Sequence, residues 1–182
     1  DMMPVMIAAA GVENMTIAKP VVSKFGGSSL ADAGQFRKID YIIKQNPNRR
    51  YIVPSAPGKR NPDDVKVTDL LYACYDKAKH GEPYEEYLNQ IRQRYQEIIE
   101  ELGLHLSLKD ELKVLENSFV RGIGSEYAAS RGEYLNGILL AAYLDYEFVD
   151  AASVIRFHKD GTLDAETTNE LLKERLGGCS AA

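Results

Sequence analysis

The stretch "VVSKFGGSSLADAGQF", residues 21–36, shows how the chain is built. A β-friendly run ends at Phe25, and the second half of the stretch has the apolar spacing of an amphipathic helix. Gly26–Gly27 and Ser28–Ser29 stand between the two halves, and Lys24 comes just before them. A strand that turns on two glycines into a helix predicts a βα unit.

The rest of the chain continues this alternation of strands and helices. "YIVPSAPGKR" and "EFVDAASVI" read as two more short strands, and helical patterns fill the segments between them. Such an order favours an α/β fold with a parallel sheet covered on both faces. Ligands of these sheets bind outside the carboxyl ends of the strands. We therefore expect a site at the loops after Phe25, Pro54 and Val149.

Composition and charge exclude several classes of protein. The 182 residues carry a net charge of −5, which argues against a nucleic-acid or membrane-surface role. No apolar run approaches the roughly 20 residues that span a bilayer. Cys74 and Cys179 lack metal-ligand spacing, so we expect reduced thiols in a cytoplasmic protein. We interpret residues 1–16 as an extension or tag without function, and residues 17–182 as the functional part.

The segment "SKFGGSS" predicts a phosphate cradle. Two glycines let the backbone approach a ligand closely, and a helix that begins near Ser28–Ser29 offers free N–H groups to an anion. Lys24 adds a mobile positive charge. The spacing is not that of a Walker A loop, because the lysine precedes the glycines. The alternative is an ordinary tight turn with Lys24 in solvent.

Two further segments carry candidate binding residues. In "PSAPGKR", Ser55 exposes a hydroxyl at a strand end, although the segment also fits a basic surface turn. Thr68 fits a helix N-cap. In "SRGEYLNG", Arg131 and Glu133 lie in an otherwise apolar helix, where a partly buried carboxylate needs a partner. That partner is either Arg131, in an internal salt bridge, or the ammonium group of a substrate.

Several of these stretches together resemble one family. "VSKFGGSSLAD", "VPSAPGKR" followed by "VTDLL", and "ASRGEYLNGILLAAYL" followed by "FVDAASVI" closely resemble aspartate kinases of the amino-acid kinase superfamily, from about Lys19 to Ala182. The resemblance implies a three-layer αβα, carbamate-kinase-like fold with a mainly parallel sheet, here truncated. Residues 17–182 then form the N-terminal, amino-acid-binding part of the kinase domain.

The resemblance also implies an activity. Aspartate kinases are phosphotransferases that use ATP and Mg²⁺ to phosphorylate the β-carboxylate of L-aspartate, the first step of lysine, threonine and methionine biosynthesis. It implies a cytoplasmic homo-oligomer that binds no nucleic acid or membrane. Matching positions give Lys24 a catalytic role. The residues expected to hold the ATP phosphates are Lys24, Gly26, Gly27, Ser28 and Ser29. The residues expected to bind aspartate are Ser55, Thr68, Glu133, which meets the ammonium group, and Arg131.

The chain also departs from the family pattern. It lacks the later Arg-Gly-Gly-Ser-Asp block, the adenine- and Mg²⁺-binding segments and the ACT regulatory domains, so we expect residues 1–182 alone to be inactive. Two alternatives stay open at this point. One is a superfamily member that acts on another acid, such as glutamate or N-acetylglutamate. The other is a non-catalytic binding or oligomerisation module.

Overall fold

A four-stranded sheet organises the protein. The computed structural model describes residues 6–9 and 19–179. The strands, in the spatial order β2-β3-β1-β4, are β1 (Met6–Ala9), β2 (Val21–Phe25), β3 (Arg49–Pro54) and β4 (Tyr146–Val149).

Three of the strands point in the same direction. β2 and β3 pair in parallel, with Lys24 opposite Val53 and Phe25 opposite Pro54. β1 is antiparallel to both of its neighbours, so β4 has the same direction as β2 and β3. The expected mainly parallel sheet is confirmed, and the carboxyl ends of β2 and β3 meet side by side.

The strand β1 was not expected from the sequence. We interpreted residues 1–16 as an extension or tag, yet Met6–Ala9 pair with β3 on one side and with β4 on the other. Four residues satisfy the backbone groups along two facing strand edges, which would otherwise need other partners. The remainder of residues 1–16 lies outside the described residues.

Helices fill the connections from β2 to β3 and from β3 to β4. A 3₁₀ turn at Gly27–Leu30 follows β2. The α-helices in the described residues are α1 (Ala33–Lys44), α2 (Val67–Lys79), α3 (Glu85–Glu101), α4 (Lys109–Val120), α5 (Ser125–Leu144), α6 (Ala151–Val154) and α7 (Ala165–Cys179). No helix in the described part of the chain is both long and apolar enough to cross a membrane.

The helix α5 lies at the centre of the core. It packs against α2 and against β1, β3 and β4. Leu135, Leu139 and Leu140 are completely or almost completely buried. The buried Tyr95 of α3 donates a hydrogen bond from its hydroxyl to the carbonyl oxygen of Gly132, at 2.7 Å. These contacts fix the middle of α5 beside the end of β3.

Gly132 shows how tightly this region is packed, and it gives a first prediction. A Cβ at this position would lie 2.9 Å from the Cβ of Ala56 and 3.0 Å from the Cδ1 of Leu71. We expect Gly132→Ala to lower the free energy of unfolding by about 1–3 kcal/mol, because neighbouring backbone or side chains must shift. Chemical denaturation measures this change.

Gly177 provides the matched control, since it is also helical and a Cβ there would lie more than 4 Å from any atom of the described residues outside its own helical turn. Gly177→Ala should stabilise the protein by up to about 1 kcal/mol through higher helix propensity. Equal effects of the two substitutions would contradict close packing at Gly132.

Candidate active site

A cleft of about 440 Å³ opens where β2 and β3 end. It is lined by Gly27, Ser28, Ser55, Ala56, Pro57, Gly58, Lys59, Lys66, Thr68 and Glu133. The structure thus brings together residues of three sequence segments that were singled out separately. Gly26 and Ser29 adjoin the lining residues in sequence but do not line the cleft themselves.

Two loops meet backbone to backbone at the cleft. The N–H group of Gly58 donates a hydrogen bond to the carbonyl oxygen of Gly27, at 2.8 Å. A Cβ on Gly27 would lie 2.9 Å from the carbonyl oxygen of Ala56, and a Cβ on Gly58 would lie 2.6 Å from the carbonyl carbon of Gly27. Both positions therefore require glycine for this close approach.

The turn after β2 differs from the expected one. Ser28 and Ser29 lie in the 3₁₀ turn, where the N–H group of Ser29 donates to the carbonyl oxygen of Gly26 at 3.0 Å. The helix α1 begins only at Ala33, and the Asp32 carboxylate accepts a hydrogen bond from its first turn at 2.9 Å. The prediction that the helix begins near Ser28–Ser29 is therefore wrong, whereas the binding of an anion at this turn stays a prediction.

Glu133 is the least satisfied group of the cleft. The residue is 9% exposed, and its Oε2 atom is buried without a hydrogen-bond partner among the described residues. Burial raises the pKa of Glu133, and the charge of Lys24 partly opposes this rise. Lys24 itself is exposed on the edge strand β2. The Oε2 atom of Glu133 is therefore available to accept a hydrogen bond from a ligand or to pair with a cation.

Arg131 does not supply that cation. Two residues along a helix differ by about 200° in direction, so Arg131 and Glu133 face different surroundings. The guanidinium of Arg131 lies over the rings of Tyr127 and Tyr134, at 4.6 and 4.5 Å from their centroids. Among the described ion pairs there is none between Arg131 and Glu133. The alternative of an internal salt bridge between Arg131 and Glu133 is therefore wrong. Arg131 is not among the residues that line the cleft.

Thr68 occupies a different position from the N-cap that its sequence suggested. The helix α2 begins at Val67, and its N-cap residue is Lys66, which makes no side-chain cap bond. Thr68 is the second helical residue and lines the cleft. The N-cap alternative is therefore wrong, and Thr68 lines the same cleft as Ser55 and Glu133.

Sequence reasoning missed Asn136, one helical turn after Glu133. Asn136 is completely buried, and its Nδ2 atom donates to the carbonyl oxygen of Ser55 at 2.7 Å. Its Oδ1 atom is buried without a partner among the described residues. The spacing of three residues from Glu133 was a usable signal, because it places both side chains on one face of α5.

The charges around the cleft suit a particular kind of ligand. Lys59 and Lys66 line it, and Lys24 is near enough to influence Glu133. Lysines attract anionic groups, whereas the single buried carboxylate attracts a cation. Within residues 6–9 and 19–179, no cluster of His, Cys, Asp and Glu could hold a metal ion. The arrangement fits a molecule that carries both negative charges and an ammonium group.

No protein-family model matches the chain. Curated relatives do match it. The chain is 36% identical to aspartokinase 3 of Bacillus subtilis over 139 residues, which cover 73% of this chain and 31% of the relative. It is 32% identical to the lysine-sensitive aspartokinase 3 of Escherichia coli over 111 residues, 60% of this chain and 23% of the relative.

Solved structures show the same similarity. Aspartate kinase of Clostridium acetobutylicum superposes with a TM-score of 0.85 at 49% identity, over 89% of this chain and 37% of that one. E. coli aspartokinase III in complex with aspartate and ADP superposes with a TM-score of 0.71 at 26% identity, over 89% of this chain and 39% of that one. The chain spans roughly a third of the length of these relatives.

The coupling between Lys24 and Glu133 gives a second prediction. Since the charge of Lys24 opposes the rise in the pKa of Glu133, Lys24→Met should raise that pKa further. A titration of the Glu133 carboxyl carbon by NMR measures it. Lys66→Met is the control, because Lys66 lines the cleft without influencing this pKa. An unchanged Glu133 titration in Lys24→Met would show that the two groups are not coupled.

Proposed function

Since the chain belongs to the aspartate kinase family, we propose that the protein transfers the γ-phosphoryl group of ATP to the β-carboxylate of L-aspartate, giving 4-phospho-L-aspartate. The described chain supplies the aspartate-binding side of that site. The proposal concerns the whole protein, because the chain spans only about a third of its relatives. E. coli aspartokinase III, which shares the fold, binds aspartate and ADP.

The observation that carries the proposal is the buried Oε2 atom of Glu133, which has no hydrogen-bond partner in the part of the chain that the structure describes. An amino acid with a free ammonium group satisfies this buried oxygen and lowers the pKa that burial has raised. Ser55 and Thr68 offer hydroxyls to the rest of the molecule, and Lys59 and Lys66 offer positive charge. N-acetylated acids have no ammonium group to give Glu133, so the cleft favours a free amino acid over N-acetylglutamate.

The residues on the β2 side fit the phosphate groups of a nucleotide. At Gly27 the backbone faces the cleft without a side chain, and Ser28 lines the cleft beside it. Lys24 is exposed and can move towards a phosphate. The proposed reaction uses Mg²⁺ together with ATP. We assign no residue to the metal, because the described residues hold no cluster that could bind it.

Catalysis in this proposal depends on charge and position. The β-carboxylate of aspartate is already a nucleophile, so the site needs no strong base. The transferring phosphoryl group carries negative charge towards another anion. Lys24 neutralises part of that charge, and Glu133 holds the ammonium end of aspartate so that the β-carboxylate points at the phosphate.

We also propose that this reaction is the first step of lysine, threonine and methionine biosynthesis, and that the protein is a cytoplasmic homo-oligomer.

A coupled assay of ADP release tests the proposed substrate. The complete gene product should turn over L-aspartate and should be inactive with L-glutamate, which is one methylene longer, and with N-acetyl-L-aspartate. The same assay on residues 1–182 measures how much activity this chain has by itself. Turnover of N-acetyl-L-aspartate at the rate of L-aspartate would exclude recognition of the ammonium group by Glu133.

Glu133→Gln tests the same contact from the protein side. The substitution keeps the shape of the side chain and removes the charge that binds the ammonium group. We expect the KM for aspartate to rise about 10-fold or more, because a hydrogen bond to a charged group is worth about 1.5–3 kcal/mol. Arg131→Gln is the matched control, since Arg131 stacks between tyrosine rings outside the cleft. An unchanged KM in Glu133→Gln would remove Glu133 from substrate binding.

Lys24 has its own prediction. In the complete gene product, Lys24→Ala should lower kcat by at least about 100-fold with a modest change in the aspartate KM, because the lost charge acts mainly in the transition state. Lys44→Ala is the control, since Lys44 forms an exposed ion pair with Asp40 on α1. If the activity of Lys24→Ala were close to that of the wild type, a catalytic role for Lys24 would be excluded.

A further inference from the structure

Arg94 is a buried cation in α3 whose side-chain hydrogen bonds, in the described part of the chain, all go to one loop. Its Nη1 atom donates to the carbonyl oxygen of Gly58 at 2.8 Å. Its Nη2 atom donates to both carboxylate oxygens of Asp64 at 2.6 Å and to the carbonyl oxygen of Val65 at 3.3 Å. The side chain is 4% exposed. This loop, residues 55–66, contains no helix or strand and forms one wall of the cleft.

The carboxylate that faces Arg94 is itself held in place. Asp64 accepts hydrogen bonds from the backbone N–H and the Nε atom of Arg60, both at 2.9 Å. Arg60 also reaches Glu97 on α3, at 2.8 Å. The hydrogen bonds from Arg60 hold the pKa of Asp64 well below its usual range, so the carboxylate stays ionised at neutral pH. The loop is therefore tied to α3 by two arginines and two carboxylates.

The contact continues from Arg94 into the glycine turn. Gly58 accepts from Arg94 through its carbonyl oxygen and donates through its N–H group to Gly27, at 2.8 Å in each case. The two glycines have no room for a Cβ at this approach. A change in the position of Gly58 must therefore move the turn that contains Gly27 and Ser28.

We propose that Arg94 is a positioning residue for phosphoryl transfer, which fixes the phosphate-side turn at Gly27 relative to the aspartate-side residues Ser55 and Thr68. The inference rests on the proposed function and extends it. The two reactants bind on different loops, so the distance between their reacting atoms depends on how these loops are held together. A displacement of about 1 Å can lower a reaction rate about 100-fold.

The experiment compares Arg94→Met with Arg92→Met in the complete gene product. Arg92 lies two residues earlier on α3, is partly exposed and pairs with Glu116 of α4 at 3.0 Å, so its loss leaves the cleft intact. We expect Arg94→Met to lower kcat about 10-fold to 100-fold with a smaller change in the aspartate KM. Arg92→Met should retain wild-type kcat. Arg94→Lys, which keeps the charge, should recover part of the lost rate.

Hydrogen exchange provides a readout that does not depend on turnover. In Arg94→Met the N–H groups of Gly58 and Ser29 should exchange faster, whereas Arg92→Met should match the wild type. If Arg94→Met does not fold, the same comparison is made with Arg94→Lys. Failure of the wild type to phosphorylate aspartate overturns the proposed function, and exchange still tests the positioning role. Unchanged exchange at Gly58 and Ser29, or wild-type kcat in folded Arg94→Met, overturns the inference about Arg94.

Discussion

The hydrogen bond between the Gly58 N–H group and the Gly27 carbonyl oxygen is the contact on which the candidate site depends. It joins the loop after β2 to the loop after β3, and it forms only because neither residue carries a side chain. The parallel pairing of β2 and β3 brings the two loops to the same edge of the sheet. Arg94 behind Gly58 and the closely packed Gly132 beside Ala56 then hold this arrangement from the side of the helices.

Local patterns in the sequence predicted the elements and much of the site. The β-branched runs predicted the strands β2, β3 and β4, and the glycines after β2 predicted a turn there, although not its 3₁₀ form. The parallel order followed from the alternation of strands and helices. The burial of Glu133 followed from the apolar helix around it. Ser28, Ser55 and Thr68 reach the cleft because they follow strand ends or begin the next helix. These features depend on residues that are close together in the chain, so local sequence patterns are enough to predict them.

The features that could not be predicted depend on contacts between residues far apart in the chain, or on the direction in which a helix turns a side chain. Met6–Ala9 is too short for its pattern to distinguish a strand from a tail, and its place follows from two strands far along the chain. Arg94 and Asp64 are 30 residues apart, and neither lies in a motif. Arg131 and Glu133 are only two residues apart, but the helix turns them towards different surroundings, and the guanidinium lies over two tyrosine rings.

The unsatisfied carboxylate of Glu133 also has a cost that the protein carries when no ligand is bound. Because its pKa in the folded state is raised, Glu133 lowers the stability of the fold by the full amount above that raised pKa. The penalty shrinks as the pH falls through the raised value and is lost below the carboxyl pKa of the unfolded chain. In the proposed function, the ammonium group of aspartate offsets this cost, so that the residue exchanges stability for binding. Binding of aspartate is then expected to stabilise the folded protein most strongly at a pH above the raised pKa of Glu133.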